Sequence, residues 1–203
     1  MIITSQKLQD LTGVDYYDGS MLHKRFAYSF FRDKTLPIGN IIAFRAKMDV
    51  TTNLIDNEDI LSKDYIYSED AINFCWEIPN LCPFGAVAFQ RLFNTQIANI
   101  LSVKYLKVPV EVDGDDLIVH KEHNQGGVTQ PKGKASVSIT YSANNVALGH
   151  TAINITAGKR APAFAYSTNL TTEQATAFMN DIIGIFYPMV DDIFLACCKV
   201  ITK

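Results

Sequence analysis

Apolar residues recur at helical spacing most regularly in two stretches. Phe89, Leu92, Phe93, Ile97, Ile100 and Leu101 predict a helix over 86–102. Ala175, Phe178, Met179, Ile182, Ile183 and Phe186 predict a second, and Thr171 and Gln174 stand at the spacing of a capping box at its start. Pro188 should end or kink that helix, which leaves IFLACCKVI to close the fold as an edge or covering strand. Period-two alternation is cleanest over 134–156. Ala135, Val137, Ile139 and Tyr141 fall on one face, and Lys134, Ser136, Ser138 and Thr140 on the other. His150, Ala152, Asn154 and Thr156 likewise oppose Thr151, Ile153 and Ile155. The pair predicts a hairpin whose strands each bury one face and leave one polar.

The rest reads as alternating strands and helices. SMLHKRFAYSFF (20–31) suits a short helix with Ser20 as N-cap, and IIAFRAKMDV (41–50) a strand. Residues 51–67 read as loop with one helical turn. Ser68, followed by Glu69 and Asp70, has the look of an N-cap for a helix over 69–77, stopped by Pro79. Pro83-Phe84-Gly85 reads as a turn. Residues 108–120 form a hairpin about the acidic DGDD, and 121–133 a polar loop. The whole predicts a single α+β domain over 1–203, a length sufficient for one sizeable core.

Composition is that of a globular chain, 48% apolar and 19% charged, with a formal net charge of −3. Bases are scattered, so duplex nucleic acid is a poor partner. The N-terminus has no charged segment followed by an apolar run, and nothing approaches the roughly 18 apolar residues of a membrane span. A soluble, cytoplasmic protein without a membrane partner is the expectation. Cys75, Cys82, Cys197 and Cys198 fit no zinc signature and are expected as reduced thiols, mostly buried.

Among chemically capable residues, Lys134 leads. It opens a strand after a glycine-bearing loop and could neutralise a phosphate or polarise a carboxyl oxygen. The plain alternative is a strand-end lysine. His150 and Asn154 share a strand face and could donate to an acyl oxygen, or form a hydrogen-bonded core pair. Gly126 and Gly127 would let a backbone approach a phosphate, but without the ending of a P-loop. His120 and His123, three apart at a strand end, point oppositely, and no third ligand offers itself; no metal site is assigned. Asp56, Glu58 and Asp59 read as a solvated face or helix start.

With those residues in view, the chain resembles the prokaryotic family called "domain of unknown function 366". The resemblance rests on DGSMLHKRFAY (18–28), IIAFRAKMDV (41–50), NEDI (57–60), YSEDAINF (67–74), QRLF (90–93), GDDLIV (114–119), GKASVSI (133–139), ALGHTAINI (147–155) and CKV (198–200). It implies a fold and no activity. More distantly, GKASVSI and GHTAINI resemble the central hairpin of biotin–protein ligases, lipoate–protein ligases and octanoyl transferases, which share a core with class II aminoacyl-tRNA synthetases. That resemblance implies a mixed, mainly antiparallel central sheet flanked by helices, with Lys134 in the place of a lysine that contacts an acyl carboxyl or acyl-adenylate. The region near 62–70 (SKDYIYSED) has no glycine and one base, Lys63, where the ligases carry an Arg/Gly-rich loop. AGKRAPAFAYS (157–167) has no cysteine where the transferases carry their nucleophile.

Two functions follow as expectations. One is an enzyme activating or transferring a small carboxylic acid. Lys134 and His150 would be catalytic, and Arg45, Ser136, Asn154, Gly126 and Gly127 would bind substrate. The other is a binding protein for a small carboxylate or nucleotide that keeps the cleft without turnover. Whether it is an enzyme, and which cofactor it uses, stay open. A homodimer is compatible, though no interface signal stands out.

Overall fold

The computed structural model describes residues 16–23, 26–29 and 39–200. The chain begins with β1 (Tyr16–Tyr17), α1 (Phe26–Ser29), β2 (Asn40–Val50), α2 (Asn57–Ser62) and β3 (Ile66–Pro79). Then come α3 (Pro83–Ile100), which runs on as π-helix over Leu101–Leu106, and a hairpin of β4 (Val110–Asp113) and β5 (Asp116–Val119). Next are β6 (His123–Gln125), β7 (Val128–Gln130) and β8 (Gly133–Lys134). The last elements are β9 (Ser136–Ala143), β10 (Val146–Thr156) and α4 (Thr172–Cys198). The central sheet has the order β1-β2-β3-β10-β9, and only its β1–β2 pairing is parallel. Small sheets β4-β5-β8 and β6-β7 flank it. Helices α3 and α4 cover one face through an aromatic core. Phe74 meets Phe93 and Phe178 edge-on, and Trp76 meets Phe89 with ring centroids 4.9 Å apart.

The capping box at the start of α4 is present in full. Thr171 Oγ1 accepts from Gln174 N at 3.2 Å, and Gln174 Oε1 from Thr171 N at 2.9 Å. Thr171→Ala should lower the unfolding free energy by about 1 kcal/mol. Urea denaturation checks this, and an unchanged midpoint would contradict the cap's contribution.

Four local expectations are corrected. The stretch 69–77 is not a helix but the middle of β3. Ile72, Phe74 and Trp76 face the helices while Ala71, Asn73 and Cys75 face away, and all six are buried. A strand buried on both faces loses its polar alternation, and Ser68-Glu69-Asp70 then imitates a helix start. Pro83 is the first residue of α3, not a separate turn. Cys82 caps that helix, its Sγ accepting from Gly85 N at 3.4 Å, and proline suits a position whose N–H has no helical partner. Helix α4 runs through Pro188 to Cys198, so the tail is helix and not strand. Phe186, Tyr187 and Val190 are buried on either side of the proline, and that packing holds the helix across the missing hydrogen bond. Ser20 caps no helix; it lies in a turn, its N–H and hydroxyl donating to Asp18, and α1 starts at Phe26. Residues 24, 25, 30 and 31 of that predicted helix lie outside the described residues.

The predicted loop at 121–133 contains the β6–β7 hairpin, turned by Gly126 and Gly127 at φ +59° and +83°. Of the cysteines, all free, only Cys75 is buried, which corrects the expectation that most would be. No helix among the described residues is long and apolar enough to cross a membrane.

The hairpin forms over β9 and β10 with the predicted division of faces, but Lys134 stands apart from it in β8, β10 is buried on both faces, and β9 is buried the other way. Ser136 and Ser138 point inward to α3 and β5, and Val137 and Ile139 are only partly buried. Ser138 Oγ accepts from Gln90 Nε2 at 2.8 Å and Asn94 Nδ2 at 3.2 Å, and lies 3.1 Å from Thr151 Oγ1. Thr151 Oγ1 donates to Asn94 Oδ1 at 3.0 Å. A polar patch on α3 thus satisfies the polar face of the strands, and the apolar face is left for a cleft.

Candidate functional site

The cleft has a volume of about 440 Å³, within the range of small-molecule sites. Its floor is the sheet face that carries Val137, Ile139, His150 and Asn154. Its walls are α2 with the 64–67 segment, the β4–β5 turn, and the 162–165 segment.

Lys134 is set by its backbone. Its strand pairs with β5, its N–H donates to Phe164 O at 2.8 Å, and its C=O accepts from Tyr166 N at 2.8 Å. The ammonium Nζ lies 2.8 Å from Asp116 Oδ1. Burial pushes the Asp116 carboxyl above its ordinary range, against the pull of Lys134.

His150 is 2% exposed and stacks on Tyr17 with centroids 3.8 Å apart and a 12° interplanar angle. Its Nε2 lies 3.0 Å from Asn73 Oδ1. Asn73 Nδ2 donates to Ala71 O at 3.3 Å, which turns Oδ1 toward the imidazole and makes Nε2 the protonated nitrogen. Burial lowers the His150 pKa to about 3, so the ring is neutral at pH 7. Its one proton is committed to Asn73. A stacking and hydrogen-bonding wall is therefore what the geometry offers, rather than a proton shuttle.

Asn154 is held through its backbone. Its N–H donates to Ala135 O at 2.8 Å, and its C=O accepts from Thr168 N at 3.0 Å and Thr168 Oγ1 at 2.7 Å. The side chain is 3% exposed, and its Oδ1 is buried with no hydrogen-bond partner. Ser136 is fully buried; its Oγ accepts from Leu117 N at 2.8 Å and so ties the small sheet to the central one.

Lys134, Ser136, His150 and Asn154 thus come together around one cavity. Arg45, Gly126 and Gly127 do not join them. Arg45 alternates to the helix side of β2, where it grips Asp70 through Nε at 2.9 Å and Nη2 at 2.6 Å and donates to Thr172 Oγ1 at 3.0 Å. The two glycines form the tip of the β6–β7 hairpin, with open space around them. His120 pairs with Glu111 at 2.8 Å, while His123 packs against Tyr166. Sequence reasoning missed Tyr17, Asn73, Asp116 and Phe164. Asp116 sits in DGDD, whose local pattern signals only a turn. Tyr17 and Asn73 lie far from the hairpin in sequence, and Phe164, just past its end, carries no local signal.

Five strands with helices on one face and a cleft on the other make this an α+β protein with a mainly antiparallel central sheet. The chain belongs to the family Domain of unknown function (DUF366), whose model matches residues 9–201. It shares its fold with a protein of unknown function from Pyrococcus horikoshi, at 21% identity and a TM-score of 0.75, covering 93% of each chain. Lower similarity extends to P. falciparum LipL1 in complex with lipoate, at 12% identity and TM-score 0.48, over 93% of this chain and 58% of that one. It extends also to the biotin protein ligase from Aquifex aeolicus in complex with biotin and ATP, at 8% identity and TM-score 0.45, over 85% and 69%. No curated protein matches the chain.

Proposed function

We propose that this protein binds a small organic molecule in the cleft, without group transfer. The observation that carries the reading is Asn154, a buried carboxamide with an unpartnered oxygen at a preformed cavity of about 440 Å³. Leaving a buried acceptor unmade costs about 1–3 kcal/mol, and a ligand N–H or O–H would recover it. Val137, Ile139 and the Tyr17 ring supply apolar contact. Lys134 with Asp116 supplies a polar end. The same observations weigh against acyl activation. The ammonium of Lys134 is already matched by a carboxylate, and the neutral His150 ring has its one N–H committed to Asn73.

The test uses thermal unfolding and calorimetry of the native chain with short carboxylic acids, aliphatic amines and nucleotides. At least one compound should bind saturably; at 100 times its dissociation constant it adds about 2.7 kcal/mol. Asn154→Leu removes the orphaned oxygen. It should raise the stability of the free protein by about 1 kcal/mol while abolishing that binding. Pyrophosphate exchange driven by any of the acids would overturn the non-catalytic reading.

A further inference from the structure

The cleft's charge is one-sided. Asp56, Glu58, Asp59, Asp64, Asp115 and Asp116 line it, and Lys134 is the one lysine or arginine among the described lining residues. These carboxyls come from two separate elements, α2 with its flanks and the β4–β5 turn, which face each other across the opening. Asp116 is matched by Lys134, Asp56 caps α2 by accepting from Glu58 N at 2.8 Å, and Asp115 lies 3.9 Å from Arg91. Among the described residues no base pairs with Glu58, Asp59 or Asp64. Nearby Arg160 is already spent: it bonds Asp49 at 2.9 Å and covers the rings of Tyr65 and Tyr67. The carboxyl of Asp59 is pushed up by burial, then by its neighbours Asp56 and Asp64, against the pull of Lys134, and Asp115 adds to it from across the opening.

A second observation is independent of the acids. The unpartnered group at the cleft floor, Asn154 Oδ1, is an acceptor, so it too calls for a donor. Beside Asn154 the same floor is apolar, with Val137 and Ile139. At the lip, the half-exposed Phe164 ring can take a cation on its face. Among the described residues no three His, Cys, Asp or Glu side chains converge closely enough to hold a metal ion. The negative charge is therefore spread along the cleft instead of focused at a point.

Resting on the binding reading above, the geometry points to an aliphatic di- or polyamine as the ligand class. One N–H donates to Asn154 at the floor, the methylenes lie on Val137 and Ile139, and a second ammonium meets Asp59 and Asp64 at the rim. A carboxylate or an uncomplexed nucleotide meets the opposite field, with a single, already paired lysine to hold it.

The experiment is calorimetry on the full chain at low ionic strength with spermidine, and in parallel with octanoate and ATP. Spermidine should bind with 1:1 stoichiometry. The D59N/D64N double variant should weaken it by about tenfold or more, as expected for the loss of two charges, one of them partly buried. D191N/D192N, two exposed acids on α4 remote from the cleft, should leave the affinity unchanged, separating a site from general attraction to an acidic protein. N154L should abolish binding. If both double variants weaken spermidine equally, the amine assignment is overturned. If octanoate or ATP binds in an N154L-sensitive way and spermidine does not, the amine class is wrong and the cleft-binding reading survives. If none of the three binds, both fall.

Discussion

Gly149→Ala should destabilise the protein by about 3 kcal/mol, at the upper end of the usual range for overpacking a core. Gly149 sits on β10 directly across from Trp76 of β3, and the indole lies over its backbone. A Cβ at Gly149 would come within 2.1 Å of Trp76 Cε2 and Cζ2. Real carbon atoms do not approach so closely, so something must move. Trp76 is 1% exposed and braced by Phe89, which leaves it nowhere to go. The glycine before His150 thus has a packing reason, whatever the role of the histidine beside it. Chemical denaturation of Gly149→Ala, Trp76→Leu and the double variant tests this. The second substitution vacates the space, so the double variant should be much less destabilised than the sum of the singles. Strict additivity would show that the contact is not the cause.

Acidification should unfold the protein early because of His150. Its folded pKa is about 3, below the ordinary 6.5 of a free imidazole. The unfolded chain therefore takes up a proton that the folded chain refuses. The stability held at neutral pH is lost progressively as pH falls from about 6.5 toward 3, by about 3 kcal/mol at pH 4.5. Asp59 and Asp116 work with the opposite sign. Burial raises their folded pKa values, so the native state binds protons there more readily and gains as pH falls. Comparison with His150→Gln cancels these carboxyls. The variant should be less stable at pH 7, having lost the stack on Tyr17, yet lose less between pH 7 and 4.5. Parallel pH profiles for parent and variant would remove His150 as the source.

The sequence alone carried the long amphipathic helices, the capping box at Thr171 and Gln174, the β4–β5 turn and the alternation of the 134–156 hairpin. Each is a local pattern: a period of 3.6 or 2, or a cap whose partners are three residues apart. It also carried Lys134, Ser136, His150 and Asn154 as a group, because three lie on the β9–β10 hairpin and Lys134 directly precedes it. What it could not carry depends on neighbours distant in the chain. Strand β3 lies between two other strands and is buried on both faces, so its alternation vanished and its acidic start imitated a helix cap. Pro188 stays inside α4 because Phe186, Tyr187 and Val190 are fixed by the core.

The site divides the same way. Arg45 went to the opposite face of the sheet, where Asp70 and the start of α4 claim it. The serines of GKASVSI turned inward, because Gln90 and Asn94 on α3 offer hydrogen bonds that compensate their burial, and this hands the apolar face to the cleft. Sequence periodicity determined which residues share a face. Only the tertiary structure decided which face became core and which became cleft, since that depends on whether a distant element can satisfy buried polar groups. The sign of the cleft's charge was decided there too. The acids of NEDI and DGDD lie more than fifty residues apart in the chain and meet only in the folded protein.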